Sequence, residues 1–362
     1  VRNDPFDMDE SSLEFERLET AYEDTVLQDM AEHSVNAVDG YTQTDVAKGM
    51  STVTRDTEKL VKGLLALPSP VERCADANDA WAAKVADYNG WLGDASMRRV
   101  IDARTEELRR TWATIDQSIL RMETRDGYAP FQSMLESLMS ETHRIVAEGG
   151  DIRKATRNVA DTIARSGGIR IQDNGRGYEL YGWVRQRVWD SWHDTMQDYR
   201  DRLGRKVGMD AVEVSAHGLC APDHQPFQGK IYTLDEFQTI QSSLQRPLGK
   251  YNCRHIMTPC WHDSRPTYSR DELAELDRLS NGTVHVDGRG MTRYEASQWQ
   301  RSMERDVRKR KMAARVCESV GDAEGAASWR RKAREASKTY REGCEAAGLR
   351  TFPERLTVGR LA

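Results

Sequence analysis

The chain is 362 residues long, 38% hydrophobic and 31% charged, with a formal net charge of −5. That length exceeds the ~250–300 residues at which one hydrophobic core stops growing, so more than one structural unit is expected. No apolar run approaches the ~18 residues of a membrane span, and the acidic opening Val1–Glu10 does not read as a secretory signal. Six cysteines are too sparse for a disulfide-built fold and are expected to be reduced.

In chain order, Leu13, Leu18, Tyr22, Val26, Leu27 and Met30 recur at helical steps within Ser12–His33. The same segment belongs to an acidic head: residues 1–40 hold twelve acids against Arg2 and Arg17, a net −10. Helical patterns follow at Thr54–Leu67, stopped by Pro68 and Pro70, and at Asn78–Leu92, closed by Gly93. Met97–Met122 is the longest uninterrupted helical pattern. Phe131–Ala147 and Asp151–Ser166 come next, ended by glycine pairs, so the first 166 residues read as all-helical. Tryptophans and methionines in these stripes are read as core.

After Gly167 the texture changes. Ile169–Gln172 alternates apolar and polar, Asp173-Asn174-Gly175-Arg176-Gly177 is turn-rich, and Glu179–Leu203 returns to helix. Ala211–Ser215 is the clearest strand, β-branched and alternating, and Lys230–Thr233 is a second. Val286-Asp287-Gly288-Arg289-Gly290 reads as a turn. Arg270–Ser280 and Arg293–Tyr340 are predicted helices, and residues 291–350 carry fifteen Lys or Arg against nine acids. The expected class is mainly α with a small central α+β domain, divided as an acidic helical region (1–147), the central domain (148–265) and a basic helical region (266–362). Opposed charge blocks of this kind mark assembly surfaces, nucleic-acid contact or simply solvated helix faces. On a helix, Arg301, Arg305, Arg308 and Lys309 share a face and form the candidate DNA-contacting set.

Residues able to do chemistry gather at His217, Cys220, Asp223 and His224, then at Asn252, Cys253, Arg254 and His255, with Cys260 and His262 beyond. Three readings compete. Cys220, His224, Cys253 and His255 could form a tetrahedral zinc set, although the one-residue gap between Cys253 and His255 is tight for a structural site. A cysteine beside a histidine, with Asp223 orienting His224, could form a thiolate–imidazolium pair. Against catalysis, no nucleophile elbow, HExxH helix or phosphate-cradling glycine loop is present. The preferred reading is structural: His, Asn and Arg brace loops through buried hydrogen bonds, and the cysteines pack as small hydrophobes. On that reading there is no catalytic residue and no cofactor.

Two motifs in order carry a resemblance. Val212–Tyr232, containing His217-Gly-Leu-Cys220-Ala-Pro-Asp223-His224 and Phe227-Gln228-Gly229-Lys230, is followed by Tyr251-Asn252-Cys253-Arg254-His255 and Pro259. Together they resemble the signature of the type 2 minor capsid proteins of tailed bacteriophages, related in motif to Mu-type head morphogenesis proteins. The likeness extends over roughly residues 150–350. It implies a non-enzymatic virion component of the capsid interior and portal vertex, present in the host cytoplasm during assembly. Its partners would be portal and other head proteins, with packaged double-stranded DNA met without sequence preference and no membrane. His217, Gln228, Gly229, Asn252, Arg254 and His255 are the motif positions carried over, as fold-defining residues. The alternative is a zinc-binding or Cys/His-dependent enzyme, or an ejected effector.

Overall fold

The computed structural model describes residues 204–251 and 253–358. Before them it describes strands at 120–124, 127–130, 169–173 and 176–179 and scattered helical positions, among them Asp24, Gln28, Trp183 and His193. The helices expected at Thr54–Leu67 and Asn78–Leu92 lie outside the described residues.

Among the described residues three small antiparallel sheets are set among helices, compatible with the mainly α architecture with an α+β part expected from the sequence. The first sheet joins β1 (Leu120–Thr124), β2 (Gly127–Pro130), β3 (Ile169–Asp173) and β4 (Arg176–Glu179) in the order β2-β1-β3-β4. It corrects the all-helical reading of the first 166 residues. The Met97–Met122 pattern gives way to strand at Leu120, which pairs with Ile171 across a long sequence separation. Sheet pairing outweighs a helical periodicity that is only a weak prior. It also joins residues on both sides of the expected boundary at 147. β3 and β4 pair in antiparallel register with Asp173 opposite Arg176.

The second sheet is β6-β5-β7, from β5 (Ala211–Val214), β6 (Ile231–Thr233) and β7 (Met257–Cys260). Helix α1 (Leu234–Ser243) follows β6 directly through a capping box, Thr233 accepting from the Glu236 N–H while Glu236 accepts from the Thr233 N–H. Val212, Val214, Leu248, Cys253 and Met257 form its core, closed by Phe227, Tyr232, Phe237, Ile240 and Leu244. Residues of the preceding helical stretch cover the outer edge of β7: Gln197 donates to Met257 O at 2.9 Å and accepts from Met257 N at 3.3 Å. The side-chain amide thus occupies strand-edge groups that would otherwise be open.

Helix α2 (Arg270–Asn281) leads into the hairpin of β8 (Thr283–Val286) and β9 (Arg289–Thr292). Asp287 and Gly288 sit at φ 50° and 73°, the left-handed pair of a two-residue hairpin turn. The helix expected over Arg293–Tyr340 is two helices, α3 (Arg293–Ser319) and α4 (Ala323–Ala347). The break has a local cause: Gly321 takes φ 76°, and the Asp322 side chain caps the new helix at the Gly325 N–H. The two helices pack along each other with Val307, Ala336, Tyr340 and Cys344 at their seam.

Buried polar groups fasten this hairpin. Tyr340 is fully buried; its hydroxyl donates to Glu304 and accepts from the Phe352 N–H at 2.9 Å. Arg308, also buried, donates to Arg355 O at 2.7 Å, and Lys311 donates to Leu356 O at 2.6 Å. At the other end of the chain, Asp24 is buried against Arg315 of α3 at 2.8 Å.

Candidate functional site

The second sheet brings the two sequence motifs together. Ser215 N donates to Ile256 O at 2.8 Å, and Ile256 N donates to the Ser215 hydroxyl at 2.9 Å, extending the β5–β7 pairing to His217 and His255. On the other side, Gly229 N donates to Val214 O at 2.8 Å. Gly229 sits at φ 67°, and a Cβ there would lie 2.4 Å from Leu273 Cδ2, so both conformation and space require glycine.

Between these segments lies a closed cluster. His224, Gln228, Cys220, Cys253 and His255 are all buried, and His217 is half-buried. The His255 ring stands at the centre: its Nε2 is 3.6 Å from Cys220 Sγ and 3.4 Å from Gln228 Oε1, and its Nδ1 is 3.2 Å from Cys253 Sγ. Cys253 Sγ also lies 3.3 Å from His224 Nδ1. The His217 ring is tilted against His255 with centroids 4.5 Å apart. Gln228 ties both motifs, accepting from the His217 N–H at 3.3 Å and donating to Asp277 of α2 at 3.5 Å.

The electrostatics oppose a thiolate–imidazolium pair. Burial pushes the Cys220 thiol up to about 12 and raises Cys253. Burial, then the neighbouring His217 and His224 rings, brings His255 down to about 3. The Cys220 and Cys253 thiols stay protonated and the His255 imidazole neutral, the reverse of an activated pair. Asp223 Oδ2 stands 3.9 Å from His224 Nε2, too far for a hydrogen bond that would orient the ring. Burial would raise the Asp223 carboxyl, but the Arg246 fork at 2.5 and 3.1 Å outweighs this and holds it below its ordinary value. His224 instead donates from Nε2 to Arg246 O at 2.7 Å.

The remaining sequence candidates fall elsewhere. Arg254 is exposed between buried Cys253 and His255, close enough to His217 to act on it electrostatically; Asn252 lies outside the described residues. Among the described residues the groups with metal-ligand spacing are His217, Cys220, His255 and His224, Cys253, His255; Cys260 and His262 join neither. The set Cys220, His224, Cys253, His255 is therefore split by the His255 ring, which turns one nitrogen to each sulfur. His193 was not singled out from the sequence. It is buried, its Nε2 donates to His255 O at 2.8 Å, and its ring packs where a Cβ on Gly249 would stand 2.2 Å away. The available signal was its four-residue spacing from Gln197, which places both on one helix face.

The candidate DNA-contacting cations of α3 are engaged within the chain. Arg305 and Lys309 face Glu179 at 3.6 and 3.0 Å, Arg301 faces buried Glu304 at 3.3 Å, and Arg308 is interior.

Fold and cluster together define a helical protein built around a compact α+β unit whose sequence motifs converge on an enclosed Cys/His centre. Over residues 124–343 the chain matches the family described as phage minor capsid protein 2, and it belongs to that family. It is accordingly a structural capsid protein of the phage virion, associated with other head proteins. No curated protein and no solved structure matches it. Among the described residues, no helix is long and apolar enough to cross a membrane.

Proposed function

We propose that the chain is a non-enzymatic component of the phage head interior, placed at the portal vertex by protein contacts. One observation carries this reading: the motif residues face each other inside the fold, with the Cys220 thiol and the His255 imidazole held in unreactive protonation states. An enzyme would present such groups to a substrate cleft. The pairing of α3 cations with Glu179, Glu304 and Asp24 supports protein contact over DNA contact as the role of the basic region. Two experiments test the placement. In intact virions the chain should resist added protease and become sensitive once DNA has been ejected, and cross-linking in intact heads should join it to portal. Cleavage in intact particles would place it outside and overturn the reading.

DNA contact is retained as a second reading because of one groove. Between α3 and α4, Lys311, Arg315, Arg330, Arg334 and Arg341 line a cleft with Glu318. Duplex bound there would lose affinity with salt at a log–log slope of ~0.9 per phosphate contacted. Arg334→Glu/Arg341→Glu should weaken it equally for all sequences. Unchanged binding in that variant, or none by the parent chain at low salt, removes DNA from the function.

A further inference from the structure

The protonation pattern of the cluster leaves one side of it rich in electron pairs. His217 Nδ1 lies 3.0 Å from Gly218 O, so its proton is there and Nε2 is bare. That Nε2 is buried with no hydrogen-bond partner. An unpaired buried polar atom costs about 1–3 kcal/mol, and its persistence asks for an explanation. His224, donating from Nε2 to a carbonyl, likewise has a bare Nδ1, which can take the single S–H of Cys253. Cys253 Sγ then accepts from His255 Nδ1, and His255 Nε2 is left bare. The group His224, Cys253, His255 is thereby satisfied by its own protons and needs no ion.

On the opposite side the Cys220 S–H can reach His255 Nε2 at 3.6 Å, and the His217 Nε2 is left with no proton to accept. His255 Nε2, Cys220 Sγ and the bare His217 Nε2 belong to a set whose ligand atoms lie within 4.8 Å of one another. The Gln228 oxygen stands 3.4 Å from His255 Nε2. Zinc–sulfur bonds of about 2.3 Å and zinc–nitrogen bonds of about 2.0 Å, at tetrahedral angles, put S and N about 3.5 Å apart and two N or O ligands about 3.3 Å apart. The observed edges are 3.6 Å for Cys220 Sγ–His255 Nε2 and 3.4 Å for Gln228 Oε1–His255 Nε2. The outer partners are also in place: each histidine has its second nitrogen on an acceptor, Gly218 O for His217 and Cys253 Sγ for His255.

We propose that His217, Cys220 and His255 bind one zinc ion, with the Gln228 side-chain oxygen in the fourth position. The ion takes Cys220 as thiolate and releases one proton to solvent, which makes binding weaken as pH falls. With ligands from the segment after β5 and the segment before β7, it staples the two sequence motifs and is a structural ion. This site retains Cys220 and His255 of the set read from the sequence and replaces His224 and Cys253 by His217 and Gln228. It holds independently of where the chain sits in the head.

The test uses the untagged full chain. Metal analysis after purification with zinc present should return one zinc per chain, and cobalt(II) added to the stripped protein should give tetrahedral d–d bands with a sulfur-to-cobalt charge-transfer band. His217→Ala should stay folded by circular dichroism, since its Nε2 has no partner in the fold. It should lose zinc affinity by more than the ~10–100-fold that an outer-shell partner is worth. Cys220→Ser should abolish the charge-transfer band, while Cys253→Ser should keep it. A chain that takes up no zinc from micromolar Zn(II), zinc retained unchanged by His217→Ala, or a charge-transfer band lost in Cys253→Ser and kept in Cys220→Ser overturns the assignment.

Discussion

Gly343 lies in the interior of α4 and faces Trp299 of α3. Replacing a mid-helix glycine by alanine ordinarily stabilises a helix by about 1 kcal/mol. Here a Cβ would stand 2.0 Å from Trp299 Cη2 and 2.6 Å from Cζ3. Carbon atoms in contact sit about 3.5–4.0 Å apart, so the rigid indole must retreat by about 1.5 Å. It has no slack, because it packs against both the Val307–Tyr340 cluster and the Val286–Ala296–Ala347 cluster. Overpacking of this kind costs about 1–3 kcal/mol, which exceeds the propensity gain. Gly343→Ala should therefore destabilise the chain by up to about 2 kcal/mol, a fall of up to about 6 °C in melting temperature. Urea denaturation of a double-mutant cycle measures it: in a Trp299→Phe background, where the offending ring atoms are gone, the same change should be neutral or stabilising. If Gly343→Ala raises the melting temperature with Trp299 in place, α3 and α4 do not approach this closely at Gly343.

Other outcomes follow from the buried polar groups. Tyr340→Phe leaves Glu304 without its Tyr340 hydrogen bond and the Phe352 N–H without its acceptor, at about 1–3 kcal/mol for each group left unsatisfied; thermal melting checks the loss. Glu213→Ala removes the carboxylate that accepts from both the N–H and the hydroxyl of Thr267, at 2.6 and 2.7 Å, and should lower the denaturation midpoint by an amount corresponding to about 2–4 kcal/mol, with Glu213→Gln losing much less. Burial lowers the proton affinity of His193, His217 and His255, the last to about 3, so below their ordinary value of 6.5 the unfolded chain binds more protons than the folded one. Stability is then full above about pH 6.5 and falls as pH drops towards 3, by up to about 1.4 kcal/mol per pH unit for each histidine. Melting temperatures recorded from pH 7.5 to 4.5 in chelator should show that decline, and a flat profile would contradict it.

Local chemistry was legible wherever a few neighbouring residues determine the backbone. The Asp287-Gly288 turn, the β5 and β6 strands and the α2 helix all stand where turn residues, alternation and helical spacing place them. The family was legible for the same reason, since its signature is two short runs in order. β1 and β7 were not legible: each is a short strand defined by partners far along the chain, Ile169–Ile171 for β1 and Ala211–Val214 for β7. The split of α3 from α4 was marked by Gly321-Asp322, a signal masked by the helical pattern on either side of it.

What the sequence determined by itself is composition, element type and the presence of a Cys/His-rich motif pair. Which nitrogen of His255 faces which sulfur, and which of the cations stay open to a partner, was decided only by the tertiary structure. Side-chain type sets what a residue can donate, accept or pair with. Its actual partner depends on segments tens of residues away: His193 on the His255 carbonyl, Glu179 on Arg305 and Lys309, Asp24 on Arg315. Those pairings turn a basic helix face into an internal brace and a scatter of cysteines and histidines into one enclosed centre, because burial and distance rather than residue identity set the strength of each interaction.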